Sequence, residues 1–359
     1  MALPSNASSI NTSDKIADTI KTTAGYFTSG DGTIGGTDIH TGSLADSNES
    51  YYFNVTQVHP LSSSAEVQFS VTYGDARGSG SDTYGDSTTN PDTLNGETQA
   101  IYKQFTNLLL EESEASGGFK ISAQGSDRAV STAASRDDYF YAIVGKRAKF
   151  KDRINKKAWT LALSGSGGPY SAKDTNNSSG STIYLTDDSS TVAATATPGG
   201  PRHNIVSGTL GTAVSASTAK TYGWFYPEMG IMLFSGAELS ASLPGAIGGL
   251  NQTASFSAAS FNGLQASSSG FAPNEYGKGN PQNALRFVNC MRNLGSSTSL
   301  RLRSEEDQTQ ENYFCRIKAP DYNFSSNPTY TSGSKNKIRN LDMHGNPQTF
   351  ITGVGLYNG

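Results

Sequence analysis

The pattern that decides the fold lies in residues 67–73, which read Val67, Gln68, Phe69, Ser70, Val71, Thr72 and Tyr73. Apolar side chains occupy every second position, which is the period of a β-strand with one face turned toward a core. The preceding stretch, residues 51–58, is aromatic and β-branched, and residues of these types favour strands. Together the two stretches predict a half-buried antiparallel sheet.

Other short apolar segments extend the sheet. Strands are predicted at residues 139–144, 158–163, 183–185, 222–226 and 231–234. Residues 300–303 and 313–318 are predicted to pair as a hairpin across the acidic turn Glu305, Glu306 and Asp307, which we interpret as solvated. A last strand is predicted at residues 348–356.

Two helices are predicted to pack on this sheet. In residues 97–113, Ile101, Phe105 and Leu108 form one apolar stripe. In residues 281–294, Pro281 suits the first helical turn and Gly295 can end the helix. The expected class is therefore α+β, rich in β-structure, with mainly antiparallel sheets, two packed helices and long polar loops.

Composition supports this class and excludes others. The chain has 359 residues, enough to bury a sizeable core, and 39 of them are glycine. Only 16% are charged, against about a quarter in ordinary domains, which disfavours a helical bundle or coiled coil. The net charge of −4 gives no bulk cationic field for coating a nucleic acid. Four regions are predicted: an N-terminal arm at 1–50, a β-rich main domain at 51–235, a loop-rich connector at 236–280, and a C-terminal helix with antiparallel strands at 281–359.

Motifs for catalysis, cofactors and membranes are not found. The N-terminus lacks a basic start followed by an apolar stretch, so we expect assembly in the cytoplasm. No apolar run reaches the about 18 residues of a membrane-spanning helix. No nucleotide-binding loop, dinucleotide fingerprint or nucleophile elbow occurs. We therefore expect no enzyme activity, no catalytic residue, no cofactor and no metal, with buried thiols at Cys290 and Cys315 and no metal-ligand spacing among His40, His59, His203 and His344.

Two weaker patterns in the sequence each have a simpler explanation. Residues 29–38, with Asp31 and Asp38, resemble a calcium-binding turn, but such turns occur in tandem and this one occurs once, which favours a polar turn. Glu228 follows Trp224, Phe225 and Tyr226 and is the one candidate acid or base for cleaving a glycoside. The simpler interpretation is a strand that packs its aromatic side chains into the core, with Glu228 in the turn that follows.

The strongest charge feature is a cluster of seven cations within twelve positions, opposed only by Asp152. It could be a solvated face, a contact with an acidic neighbouring protein, or a nucleic-acid contact, which the scarcity of aromatic residues disfavours. We call it the basic run; its members are Lys146, Arg147, Lys149, Lys151, Arg153, Lys156 and Lys157.

Several strings along the chain carry a family resemblance. They are ALRFVNC at 284–290, RSEED at 303–307, YFCRIK at 313–318, DYNFSSNPT at 321–329 and GNPQTFIT at 345–352, with FYPEMGI at 225–231 and YYFNV at 51–55. Together they resemble virion structural proteins of large contractile-tailed phages, especially those that infect cyanobacteria. The resemblance touches most of the chain at intervals, and its C-terminal series is the most specific part.

The resemblance implies assembly and not catalysis. We expect a non-enzymatic subunit of a phage tail or baseplate, or of the neck, located in the virion and assembled in the host cytoplasm. Its expected partners are other virion structural proteins in a symmetric assembly, with no membrane and no nucleic acid. The expected contacts are the arm, the loop at 74–95 and the basic run. The alternatives are a host-recognition or carbohydrate-binding fibre module, a tail-associated glycan hydrolase that uses Glu228, and a capsid decoration protein.

Overall fold

The fold was analysed in a computed structural model. It describes residues 15–26, 32–41, 51–76, 78, 96–121, 136–137, 139–164, 182–214, 220–236, 238–239, 281–314, 323, 325, 329–335, 337–348, 350 and 353–355. The structure confirms the predicted class, because antiparallel strands dominate and few helices accompany them.

The described part of the chain contains three α-helices and eighteen strands of different lengths. The α-helices are α1 (Glu97–Leu109), α2 (Glu112–Ala115) and α3 (Pro281–Arg292). The strands are β1 (Lys15–Tyr26), β2 (Thr33–Gly35), β3 (His40–Thr41), β4 (Tyr52–Thr56), β5 (Val67–Asp75), β6 (Tyr139–Gly145), β7 (Arg153–Ile154), β8 (Thr160–Ser164), β9 (Thr182–Asp187), β10 (Thr195–Thr197), β11 (Gly200–Thr209), β12 (Thr212–Ala213), β13 (Thr221–Tyr226), β14 (Ile231–Ser235), β15 (Thr298–Arg301), β16 (Arg303–Tyr313), β17 (Thr331–Ser332) and β18 (Lys337–Ile338).

The chain divides into two compact units. One comprises Thr22–Glu306 and is called the sheet unit below; the other combines Met1–Lys21 with Asp307–Gly359. Three smaller 3-10 helices also occur, at Gly36–Asp38, Arg147–Lys149 and Leu341–Met343.

The sheet unit contains one large antiparallel sheet. Its strands follow the order β2-β15-β8-β9-β11-β13-β14-β6-β5-β4-β3, and β10 and β12 pair with β11. If these eleven strands lay flat, their outer edges would be about 48 Å apart. However, the two edge strands β2 and β3 follow one another in sequence, and the chain from Gly35 to His40 spans at most about 17 Å. The sheet therefore curls strongly, which brings its two ends together.

The link between these ends is held against the turn that follows α3. The backbone N–H of Gly36 donates to the Ser297 carbonyl at 3.1 Å, and that of Thr37 donates to the Gly295 carbonyl at 2.9 Å. A β-carbon on Gly36 would lie 2.8 Å from the carbonyl oxygen of Arg292, closer than packed atoms approach. Only glycine fits this approach without a shift of the backbone.

Helix α3 fills the concave side of the curled sheet. It packs against β4 and β5 from one end of the strand order and against β8 and β15 from the other. Phe287 is fully buried and lies 5.5 Å from the ring of Tyr141 and 5.2 Å from that of Phe234, between ring centroids. One continuous apolar core occupies this side.

Helix α1 covers part of the opposite, convex side. The side chains that alternate with the concave set, such as Phe140 on β6 and Trp224 on β13, join Tyr102 and Leu109 of α1 in a second core. A buried polar tie accompanies them: the Tyr102 hydroxyl donates to the Asp137 carbonyl at 2.7 Å and accepts from the Phe119 N–H at 3.0 Å. The central strands are therefore buried on both faces, whereas the sequence predicted one.

Most predicted elements are confirmed within a few residues. The strands at 51–58, 67–73, 139–144, 158–163, 183–185, 222–226 and 231–234 correspond to β4, β5, β6, β8, β9, β13 and β14, and the two predicted helices correspond to α1 with α2 and to α3.

Three predictions differ from the structure. Residues 33–41, assigned to an N-terminal arm, form β2 and β3 of the main sheet, and Ile34 and Ile39 are buried in its core. The hairpin across residues 305–307 is wrong, because β16 runs continuously through them. No strand occurs among the described residues of 348–356. Most of the predicted loop at 74–95 and of the connector at 236–280 lies outside the described residues.

Candidate functional site

The basic run lies between β6 and β8 and includes the 3-10 helix Arg147–Lys149 and strand β7. Glu66, in the segment that leads into β5, pairs with Lys149 at 2.5 Å and with Lys146 at 3.9 Å. The hydrogen bond and the charge of Lys149 lower the pKa of Glu66 below its usual value. Two of the seven cations thus have a carboxylate partner within this chain.

Strand β16 supplies carboxylates to two more cations. Its register places Glu305 opposite Arg153 and Ser304 opposite Ile154. The Arg153 guanidinium contacts Glu305 Oε1 through Nη2 at 2.5 Å and through Nε at 2.6 Å, and Lys151 pairs with Glu306. The acidic residues predicted as a solvated turn are therefore strand residues, and two of them, Glu305 and Glu306, pair with cations of the basic run.

Arg147 is used to hold the shape of the loop. Its Nη1 donates to the carbonyl oxygen of Phe150 at 3.1 Å and also to that of Lys151, and its guanidinium lies 4.7 Å from the centroid of the Phe150 ring. Phe150 itself is buried in the concave core. The charge of Arg147 thus caps carbonyl groups at the point where the chain enters β7.

Like Arg147, Lys156 and Lys157 form no ion pair among the described residues. Lys157 has a φ of 66° and its backbone N–H donates to Asp187 Oδ2 at 2.9 Å. Its side chain is exposed. Of the candidate interface, the structure leaves these two ammonium groups without a carboxylate, while four others are paired. The interface itself stays a prediction.

The aromatic residues before Glu228 belong to the core. Trp224 and Tyr226 on β13 lie in the convex core, and Phe225 between them lies in the concave core, 5.3 Å from the ring of Trp159. Burial raises the pKa of Tyr226 to about 12. Glu228 is exposed in the turn before β14. None of these rings is exposed for stacking on a sugar, and this arrangement matches the simpler interpretation of the segment.

Strand β11 carries polar groups into the sheet that the sequence did not reveal. The Arg202 guanidinium lies 4.0 Å from the centroid of the Trp224 ring, and its Nε has no hydrogen-bond partner in the described structure. Arg202 keeps only 8% of its surface exposed. A stacked arginine of this kind gains cation–π energy in a desolvated setting. The residues around Arg202 on β11 do not alternate between apolar and polar, so no strand was predicted here.

On the opposite face of β11, His203 is buried with neither ring nitrogen hydrogen-bonded to a described group. Burial lowers the pKa of His203, against the attraction of Asp187 and Asp188. Burial raises the pKa of Asp188, whose carboxylate accepts from the backbone and side-chain nitrogens of Asn204 at 3.0 and 2.8 Å. These carboxylates hold the turn after β9, a structural task.

The histidine, cysteine and aspartate residues considered as possible ligands form no shared site among the described residues. Among the residues that the structure describes, no group of three or more histidine, cysteine, aspartate or glutamate residues lies close enough to hold a metal ion. Asp38 is exposed in the 3-10 helix between β2 and β3, and residues 29–31 of the proposed calcium turn lie outside the described residues. Cys290 is buried in α3, as predicted, and Cys315 also falls outside them.

The described residues between Asn323 and Gly355 form a segment of a different kind, called the C-terminal segment below. None of them is buried. Its order comes from local bonds: β17 pairs with β18, the Arg339 N–H donates to the Tyr330 carbonyl at 2.9 Å, and the Tyr330 hydroxyl donates to the Asn323 carbonyl at 3.1 Å. The segment has defined turns without a core of its own.

Large apolar side chains of this segment face solvent. Leu341 is 79% exposed, Phe350 86% and Val354 60%. Single exposed apolar residues are ordinary on a protein surface, but these three lie within fourteen positions of one segment. The sequence predicts a strand at residues 348–356 and does not indicate that these side chains are exposed.

No helix among the described residues has the length and apolar character needed to cross a membrane. Comparisons with protein-family models, with curated proteins and with solved structures give no match.

Proposed function

We propose that this chain is a non-enzymatic structural subunit of a tailed-phage virion, located in the tail or baseplate or in the neck. It acts through protein interfaces, and its partners are other virion structural proteins. The observation that carries the proposal is the C-terminal segment, which exposes Leu341, Phe350 and Val354 and has no buried residue among those described. Burial of such side chains is favourable by roughly 1.5–3 kcal/mol each. Contact with a neighbouring protein would supply that burial.

The basic run supports a structural role in a second way. Four cations of the basic run form ion pairs with carboxylates of the same chain. The cations are Lys146, Lys149, Lys151 and Arg153, and the carboxylates belong to Glu66, Glu305 and Glu306. Phosphate binding requires cations that are available to the backbone of a nucleic acid. The internal pairing favours a braced loop over a nucleic-acid surface, in keeping with partners that are proteins.

The competing functions lack a matching feature in the described structure. A glycan hydrolase would use Glu228, but the three aromatic side chains before Glu228 are buried. A carbohydrate-binding module favours aromatic side chains exposed together on a sheet face. On the large sheet, Tyr52 and Tyr184 are exposed, yet they lie on β4 and β9, which are separated by several strands in the sheet order; Tyr313 and Phe314 are also exposed, at the end of β16 and outside that sheet.

The proposal is tested by quantitative mass spectrometry of density-purified particles from the source. Peptide amounts of this chain are scaled to those of the tail-tube protein in the same particles. A tail, baseplate or neck component of a ring with rotational symmetry is expected at about six copies or a small multiple.

Three results would contradict the proposal. Absence from purified particles would exclude a virion subunit, and binding of the purified chain to host glycans would favour a recognition module. A copy number in the hundreds would assign the chain to the capsid surface and overturn the tail or neck location.

A further inference from the structure

We propose that the C-terminal segment docks on the α1–α2 surface of a second copy of this chain. This inference rests on the proposed function, since it names the partner of the exposed segment. It is carried by two surfaces of opposite charge on the same chain, each with an exposed leucine and with no ion pair among the described residues.

The first surface is cationic. The hairpin β17–β18 and the residue after it present Lys335, Lys337 and Arg339, all exposed, within five positions. None of the three forms an ion pair among the described residues. Leu341, 79% exposed, follows directly.

The second surface is anionic. Glu111, Glu112 and Glu114 are exposed at the end of α1 and in α2, and none has an ion partner in the part of the chain that the structure describes. Leu108 lies on the preceding turn of α1 and is 46% exposed. Like the cationic surface, this one combines three charges of a single sign with an apolar side chain.

Several other charged side chains are matched within the chain. Glu66, Glu305 and Glu306 pair with the basic run, and Lys220 pairs with Glu238 at 2.5 Å. The two unmatched clusters carry three charges each and are complementary in sign. Complementary potentials guide encounter and fix the register of a complex, and wrong pairings of like charge are strongly disfavoured.

A second copy is the occupant that this arrangement favours. Each copy carries both surfaces, so one copy's hairpin meets the next copy's α1–α2 surface and the contact repeats head to tail. Such heterologous contacts close into a ring when the rotation between copies permits. The charges provide register, while Leu341 and Leu108 provide apolar area at the centre of the contact.

Sedimentation velocity of the full chain over a range of concentrations tests the contact. We expect the wild-type chain to associate as its concentration rises, and to associate less at 1 M salt, where screening acts over about 3 Å. One variant reverses the acidic surface (Glu111→Lys, Glu112→Lys, Glu114→Lys). The other reverses the basic surface (Lys335→Glu, Lys337→Glu, Arg339→Glu). Each alone is expected to weaken association at least about a hundredfold, because like charges then face one another.

Mixing the two variants is the decisive step. In the mixture, the reversed acidic surface of one variant meets the reversed hairpin of the other, and the remaining pair is the wild-type contact. Association is therefore expected to return. The matched control adds three positive charges at other exposed apolar positions (Leu61→Lys, Val192→Lys, Val214→Lys) and is expected to associate like the wild type. Circular dichroism checks that every variant is folded.

The outcomes separate this inference from the proposed function. A chain that is monomeric at all concentrations, variants that associate normally, a mixture that does not associate, or a control that fails equally would each overturn the docking. Such a chain could still be found in purified particles, and the proposed function would then stand without it. Normal docking with no chain in the particles would instead overturn the proposed function.

Discussion

The sheet unit and the C-terminal segment use the same residue types with opposite results. In the sheet unit, Phe287 and Phe234 are fully buried; in the C-terminal segment, Phe350 and Leu341 are almost fully exposed. Both regions have defined backbone hydrogen bonds. The difference teaches that local turns can fix a conformation, whereas a core needs strands from distant parts of the chain. Under the proposed docking, the C-terminal segment gains from a partner the burial that the sheet unit supplies for itself.

The largest expected effect comes from emptying the core. Phe287→Ala removes a ring packed between Tyr141 and Phe234 under the curled sheet, and we expect a loss of about 3–5 kcal/mol in the free energy of unfolding. Urea denaturation measures it. Phe350→Ala is the matched control in the C-terminal segment and should leave the midpoint unchanged. Equal losses in both variants would contradict the contrast between the regions.

A smaller effect is expected from pH. Because burial lowers the pKa of His203 below 6.5 in the folded chain, the unfolded state binds the proton more tightly, and stability falls as the pH drops through 6.5. Asp187 and Asp188 oppose this shift, and Lys156 and Lys157 add to it. In urea denaturation from pH 8 to pH 5, His203→Gln should flatten the dependence.

His344 provides the matched control for this titration. It is exposed in the C-terminal segment, where its Nε2 lies 3.1 Å from the Ile338 carbonyl oxygen. His344→Gln makes the same substitution at an exposed position and so tests whether replacing any histidine with glutamine flattens the curve. If His344→Gln flattened the curve and His203→Gln did not, burial would not be the cause.

The smallest effect on stability is expected from Leu341→Ser. The side chain is 79% exposed, and surface substitutions of this kind change the free energy of unfolding by less than about 0.5 kcal/mol. Self-association, in contrast, should weaken measurably in sedimentation velocity, since Leu341 lies beside the cationic hairpin. A large loss of stability with unchanged association would reverse the roles that we assign to the two regions.

The same contrast explains which elements the sequence predicts. Strands β5, β6 and β14 carry apolar residues at a spacing that alone indicates a strand, and all three strands were predicted. Strand β11 was missed because its polar residues Arg202 and His203 are buried by neighbours that are distant in sequence. Strands β2 and β3 were missed for a related reason, since Ile34 and Ile39 are isolated among glycine and polar residues.

The candidate site was predictable only in part. The cluster of cations is visible in the sequence, but its partners Glu66, Glu305 and Glu306 come from distant segments. Strand β16, with the sequence RSEEDQTQENY, has few residues that favour strands. Its pairing with β7 is a tertiary contact, and no local pattern announces it. The exposure of the C-terminal segment is likewise a tertiary property, and the local sequence does not predict it.

The linkage of the sheet ends also sets an order of events during synthesis. Ile34 leaves the ribosome long before its strand partner Leu300, which lies far downstream in the sequence. Until then β2 has no partner on that side, and open sheet edges are templates for unwanted pairing. Contacts between such distant residues also slow folding. A ribosome-bound chain that ends before Thr298 should therefore remain open to proteases at residues 33–41, and release of the finished chain should protect them.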